Sequence, residues 1–280
     1  MKIALIQQHA SADKRDNLRR GLARFDEAAE SGASLVCFAE LAFEPFYPQR
    51  VAEGDVSSRA ETIPGPITEA FAERARRHGV VAVVNLFERD GARTFDSSPV
   101  IDADGRLLGV TRMLHITDYP CFHEQGYYAP GDRGMPVYDT RAGRIGVSIC
   151  YDRHYPEVMR ALAVNGADLV VVPQAGSMGE WPEGLYESEM RVAAFQNGYF
   201  VALCNRVGRE ECLEFGGESF VCAPDGSIVA RAAQGTNEIV YADIDLSACN
   251  RSHARRLFLR HRRPELYGRW IGLPSRLLEE

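Results

Sequence analysis

Apolar and polar positions fall along this chain in two kinds of block. Residues 3–7, 34–39, 80–88, 167–173 and 199–204 are short, nearly continuous apolar runs, and each predicts a buried strand. Between 17 and 30, Leu18, Leu22, Phe25 and Ala29 recur at helical spacing, with Gly32 just past the end. Pro64-Gly-Pro66 introduces a second helix through His78, which Gly79 closes. Pro156 opens a third helix that stops at Gly166, and residues 184–197 read as a fourth. Hairpin turns are predicted at Asp102-Ala-Asp-Gly105, Arg141-Ala-Gly143 and Pro224-Asp-Gly226, each between apolar runs, and residues 238–244 form a last strand.

Strand runs without clean alternation predict sheets covered on both faces. One stretch also echoes another: Ser31-Gly-Ala-Ser-Leu-Val-Cys-Phe-Ala-Glu40 resembles Asn165-Gly-Ala-Asp-Leu-Val-Val-Val-Pro-Gln174. Glycine is favoured at any helix-to-strand junction, so the echo is suggestive of two similar halves. An α/β fold with an α-β-β-α sandwich satisfies both observations. An open doubly wound sheet is the competing arrangement, but no glycine-rich phosphate loop opens any helix. Residues 1–280 are expected to form a single domain, with the basic, aromatic stretch 250–280 as a tail used in oligomer contacts or salt bridges.

Composition narrows the function. The 280 residues are 45% hydrophobic, enough for a sizeable core. The formal charge of −7, with acids and bases well mixed, gives no nucleic-acid footprint. The longest apolar runs are too short to cross a bilayer, and Met1-Lys2 leads directly into a strand, not a signal peptide. Seven widely spaced cysteines without a CxxC predict a reduced, cytoplasmic chain in which most thiols are small buried hydrophobes. Seven scattered histidines with no HExxH predict no metal, and nothing calls for a cofactor.

The candidate chemistry lies at strand ends. Cys150 closes the run Ile145-Gly-Val-Ser-Ile-Cys150, just before the Pro156 helix, whose electropositive N-terminus is expected to favour thiolate. Glu40 ends another buried run, and Glu124 lies in the loop Pro120-Cys-Phe-His-Glu-Gln-Gly126. A carboxylate at a buried strand end is costly unless it has a partner or a task. A cysteine beside a carboxylate base is an activated nucleophile. A Cys–His dyad, with His154 or His115 as base and Asp152 orienting it, is the other nucleophilic arrangement the residues allow.

Several segments in order carry a more specific likeness. Phe38-Ala-Glu-Leu41, the stretch 112–130 with His115-Ile-Thr-Asp118, Ile149-Cys-Tyr-Asp-Arg-His-Tyr-Pro-Glu157, Asn205-Arg-Val-Gly208 and Arg262-Arg-Pro-Glu-Leu-Tyr267 together resemble the carbon–nitrogen hydrolase (nitrilase) superfamily. The N-carbamoyl amidase and β-ureidopropionase branch is the nearest in pattern. The resemblance implies that Glu40 is the general base, Cys150 the nucleophile that forms a thioester, and Glu124 a second carboxylate that positions the machinery. It implies that the Tyr151 N–H is half of an oxyanion hole. Arg153 would pair a substrate carboxylate, unless it forms an ion pair with Asp152 or Glu157. Homodimers or higher even-numbered homo-oligomers follow from the same likeness, with the helix after Cys150 near the contact.

One position departs from the pattern. The lysine expected within an Arg-Lys-x-His segment is Met113 in Arg112-Met-Leu-His115. Methionine brings no charge and no donor. Strand alternation would put His115 on the face of Met113 and turn Arg112 away. His115 or His123 is therefore expected to take over part of the lost role. Glu180, Trp181, Glu187 and Glu189 would line the other side of the pocket and suit a cationic substrate, although Glu187 and Glu189 also read as solvated or capping residues. Two functions follow: hydrolysis of the C–N bond of a small amide or carbamoyl compound, or an amidase scaffold, weakened by Met113, kept for binding or regulation.

Overall fold

The computed structural model describes residues 1–271. Two sheets form the centre. In the first, the spatial order is Glu238–Asp243, Lys2–Gln7, Leu35–Phe38, Val81–Val83, Arg93–Ile101 and Leu86–Asp90, with Leu107–Arg112 also paired to Arg93–Ile101. In the second it is Ile228–Arg231, Phe220–Cys222, Phe200–Asn205, Leu169–Gln174, Gly143–Val147 and Val137–Thr140. Each sheet is built around a parallel trio whose middle strand is Leu35–Phe38 or Leu169–Gln174. These are the two echoing segments, so the repeat in the sequence marks equivalent places in two similar halves.

Helices α1 (Lys14–Glu30) and α2 (Pro66–His78) supply the crossovers of the first trio, and α3 (Pro156–Val164) and α4 (Leu185–Asn197) those of the second. Strand side chains point alternately to the two faces. Ile3, Leu5, Leu35 and Cys37 join the apolar layer between the sheets, together with Ile145, Val147, Leu169 and Val171 of the other half. Ala4, Ile6, Val36 and Phe38 pack outward with Phe25 and Phe71 of α1 and α2. Val170, Val172, Val201 and Leu203 do the same with Met159, Leu162 and Met190 of α3 and α4. Both faces of each sheet are covered, which is why the strands read as continuous apolar runs. The architecture is the α-β-β-α sandwich.

Four expectations need correction. The run 80–88 is two strands, broken at Val84 and Asn85, because buried Asn85 spends its side chain on contacts across the sheet. The strand before Cys150 ends at Val147, and the strand before Met113 ends at Arg112, so alternation does not carry through to His115. The cysteines are not all reduced: Cys121 and Cys212 form a disulfide, which ties the hairpin Asp118–Tyr119/Phe122–His123 to the hairpin Val207–Arg209/Glu214–Gly216. In the tail, Ser247–Arg251 and Pro264–Ile271 are helical, and residues 272–280 lie outside the described residues. No described helix is long and apolar enough to cross a membrane.

Candidate active site

The two halves bring three strand ends together over the inter-sheet layer. Glu40 lies two residues past the end of Leu35–Phe38 and is fully buried. Its turn is clamped by Arg206, whose Nη1 donates to the Glu40 carbonyl at 2.9 Å and also to the Leu41 carbonyl. Leu41 has φ of 44°, a left-handed conformation costly for a branched side chain, and its N–H donates to Asn85 Oδ1 at 2.8 Å. Cys150 also lies in the left-handed region, at φ 41°, and opens a 3₁₀ turn, Cys150–His154. The first N–H groups of such a turn lack intrahelical acceptors, so the Tyr151 N–H is open to another acceptor. Five residues lie between Cys150 and the start of α3, and Cys150 is 6% exposed.

Burial decides the protonation of these groups. Desolvation pushes the Cys150 thiol well above its ordinary value, with the Glu40 charge adding to it and Arg153 opposing. The expected thiolate is therefore corrected: at rest Cys150 is a thiol. Glu40 is pushed up to about 7 by burial and by Glu124, while the neighbouring Asp96 carboxyl, the Cys150 thiol and Arg206 pull it down. Glu124, 1% exposed, is raised by burial and by Asp96, and its carboxylate receives the Thr117 N–H at 3.5 Å. Glu40, Glu124 and Cys150 thus share one buried site.

Asp96 belongs to the same site, and sequence reasoning did not find it. It lies on Arg93–Ile101, is fully buried, and accepts from Asn85 Nδ2 at 2.6 Å. Met113 is also fully buried, within the inter-sheet layer that contains Cys150, and its N–H donates to the Asp96 carbonyl at 3.0 Å.

The side chains of Arg112, His115 and His154 are committed elsewhere. Arg112 turns away, as expected, into an ion-pair cluster with Glu88, Asp90 and Asp132. His115 Nδ1 contacts Asp152 Oδ1 at 2.7 Å, and its ring stacks on Tyr155 at 3.4 Å. Its imidazole is thus engaged away from the thiol. His123, partly buried, pairs through its backbone with Asp118. His154 contacts Glu189 at 2.6 Å, which takes it out of a dyad with Cys150.

Arg153 donates from Nη1 to the Cys150 carbonyl at 2.9 Å, stacks over Tyr186 at 4.6 Å and places Nε 3.4 Å from Glu189. Its acid partner is Glu189, not Asp152 or Glu157. Glu189 is correspondingly neither a cap nor a solvated residue. Glu187 is the more exposed of the two contexts, bridging Arg191 and Arg231. Glu180 accepts from Tyr119 Oη at 2.7 Å, Tyr186 Oη at 2.5 Å and Ser177 N at 2.9 Å. Tyr119, Tyr151 and Trp181 form an aromatic wall beside it.

A cleft of about 820 Å³ elsewhere, lined by His9, Tyr47, Arg59 and Glu210 among others, includes none of the three candidate catalytic groups. The cluster of perturbed acids around a buried thiol is the better guide to chemistry. Among the described residues no group of three or more His, Cys, Asp or Glu is placed to hold a metal ion.

Residues 2–254 match the profile of the family described as Carbon-nitrogen hydrolase. The chain belongs to the carbon-nitrogen hydrolase family. An N-carbamoylputrescine amidase of Arabidopsis thaliana is 32% identical over 95% of this chain and 93% of its own. A citrullinase of Francisella tularensis subsp. tularensis is 30% identical over 95% of this chain and 96% of its own. The crystal structure of a carbon-nitrogen hydrolase from Helicobacter pylori G27 superposes with a TM-score of 0.89 at 28% identity, over 97% of this chain and 98% of that one. This carbon-nitrogen hydrolase therefore shares its fold and length with family members that act on amide or carbamoyl compounds.

Proposed function

We propose that this carbon-nitrogen hydrolase cleaves the C–N bond of a small amide or N-carbamoyl compound through a thioester on Cys150. The observation that carries the reading is the burial, in one site, of the Cys150 thiol beside Glu40, a carboxyl held near neutral. Such a base takes a proton readily and returns it readily. Glu40 accepts the Sγ proton as sulfur attacks the carbonyl carbon. The Tyr151 N–H faces the developing oxyanion, and Glu124 orients the reacting groups. The tetrahedral intermediate collapses as Glu40 gives its proton to the leaving nitrogen, so ammonia or an amine departs and the thioester remains. Water, deprotonated by Glu40, then attacks the thioester; the proton returns to sulfur and the acid product leaves.

The charges beside the thiol select the substrate. Arg153 is already neutralised by Glu189, while Glu180 is held by neutral donors only. This favours a ureido compound whose far end is cationic or neutral, in keeping with the N-carbamoylputrescine amidase relative. Partly exposed Val164, Val192, Phe195 and Phe258 on and beside the outer helices support homodimers or higher even-numbered assemblies. Met113 favours a second reading, in which a weakened site serves binding or regulation.

Ammonia release from N-carbamoylputrescine, N-carbamoyl-β-alanine, citrulline and simple amides separates the two. Release that Cys150→Ala abolishes is the expected result. No release from any of them, with no covalent adduct on Cys150 by intact mass, would overturn the hydrolase reading and leave the second.

A further inference from the structure

Three acceptor oxygens at the base of the site have no donor. Both carboxyl oxygens of Glu40 and Oδ2 of Asp96 are buried and accept no hydrogen bond. Yet Asn85 sets Asp96 beside the turn that carries Glu40, taking the Leu41 N–H on Oδ1 at 2.8 Å and donating from Nδ2 to Asp96 Oδ1 at 2.6 Å, and each carboxyl feels the other. Two carboxylates in contact inside a protein do not both ionise, because like charges at that separation are too costly. One proton between them turns repulsion into a hydrogen bond and satisfies both orphaned sides.

We propose that Asp96 holds this proton and donates it to Glu40, as a positioning residue that keeps the base of Cys150 in its carboxylate form where Met113 supplies no cation. The inference rests on Glu40 serving as that base. The surroundings decide which partner keeps the proton. Glu40 adjoins the Cys150 thiol and lies under the positive charge of Arg206, both of which favour its ionised form. Asp96 faces Glu40 on one side and Asp152 beyond, and it is the charge felt most strongly by Glu124. The nearby Tyr128 phenol, fully buried, offers it no charge. Every neighbouring acid therefore favours a neutral Asp96, and its other oxygen is satisfied by Asn85. A neutral carboxylic acid serving as donor in an apolar site has precedent in enzymes generally.

The test compares Asp96→Asn and Asp96→Leu by the acid side of two pH profiles, kcat/KM and the rate at which iodoacetamide alkylates Cys150. Asparagine keeps a neutral donor toward Glu40, so the profile stays in place. Leucine removes the donor, so Glu40 holds its proton more tightly. The acid side then moves up by about one to two pH units, the worth of a hydrogen bond to a charged group. An ionised Asp96 predicts the opposite sign, since both substitutions would remove a like charge and move the profile down. A downward shift in either variant, or no shift in Asp96→Leu, overturns the proposal. Should Asp96→Leu fail to fold, the wild-type minus Asp96→Asn infrared difference at neutral pH decides. A protonated carboxyl C=O band supports the proposal, and its absence overturns it. Alkylation and infrared need no turnover, so a protein that hydrolyses nothing still answers the question of the proton.

Discussion

Burial makes Cys150 a poor nucleophile and gives it its base in the same step. Water is excluded, the thiol stays protonated, and the adjoining carboxyl is lifted toward neutral, where it can remove the proton. The difficulty comes afterwards, when negative charge develops in a site already holding Glu40, Glu124 and Asp96. Met113 is buried in that same layer. Met113→Lys should therefore raise kcat/KM by roughly 10²-fold, the scale of one preorganised donor to an oxyanion. Ammonia release checks this, and unchanged activity would place the missing charge elsewhere. Cys150, Glu40 and Glu124 were legible in the sequence because a thiol and two acids in buried or turn-rich segments stand out against apolar surroundings. Asp96 was not. In Thr94-Phe-Asp-Ser-Ser98 an acid among hydroxyls looks like a solvent-facing strand position, and only pairing across the sheet reveals that Asp96, Ser97 and Ser98 are all fully buried.

The elements that deliver these residues are short and irregular, and that is where sequence periodicity loses its hold. Helices α1 to α4 and the central strands follow from apolar spacing, caps and glycines, to within a few residues. The segment after Arg112 does not, because it leaves the sheet and is held by a side chain instead of a ladder. Asp152, fully buried on the Cys150–His154 turn, accepts from Leu114 N at 3.0 Å, His115 N at 3.0 Å and His115 Nδ1 at 2.7 Å. This one carboxylate joins the turn bearing the nucleophile to the segment bearing Met113. Asp152→Ala leaves two partly buried backbone donors and an imidazole without their acceptor. It should lower stability by about 3 kcal/mol, given about 1–3 kcal/mol for each buried donor left unsatisfied. Urea unfolding measures this, and kcat should fall with it as Cys150 and Met113 lose their common anchor. A loss well under 1 kcal/mol would mean that water or another acceptor replaces the carboxylate. Likewise the Cys121–Cys212 pair, 91 residues apart, could not be read from spacing, because cysteine count alone does not fix connectivity.

Across the whole molecule, a fold that seats several acids between two sheets should be more stable in mild acid than at neutral pH. Glu40 and half-buried Glu61 ordinarily ionise near 4.5 and are raised to about 7, chiefly by burial. Between those values the unfolded chain gives up protons that the folded chain keeps. Unfolding therefore releases protons in this window, and stability falls as pH rises through it. The contribution is complete below about 4.5 and lost above about 7. Acids shifted the other way do not offset it. Asp245, lowered to about 2 by Ser247 and Arg251, is ionised in both states throughout the window and contributes its own slope only in stronger acid. The urea midpoint should accordingly decline between about pH 5 and about pH 7.5. Glu61 provides a control outside the active site. Its carboxyl accepts the Ile67 N–H at 3.0 Å near the start of α2, a bond that glutamine can keep without a charge. Glu61→Gln should therefore fold normally and show a shallower decline, while Cys150 alkylation is unchanged. A midpoint that climbs over the same range would mean that the buried acids are ionised in the folded protein.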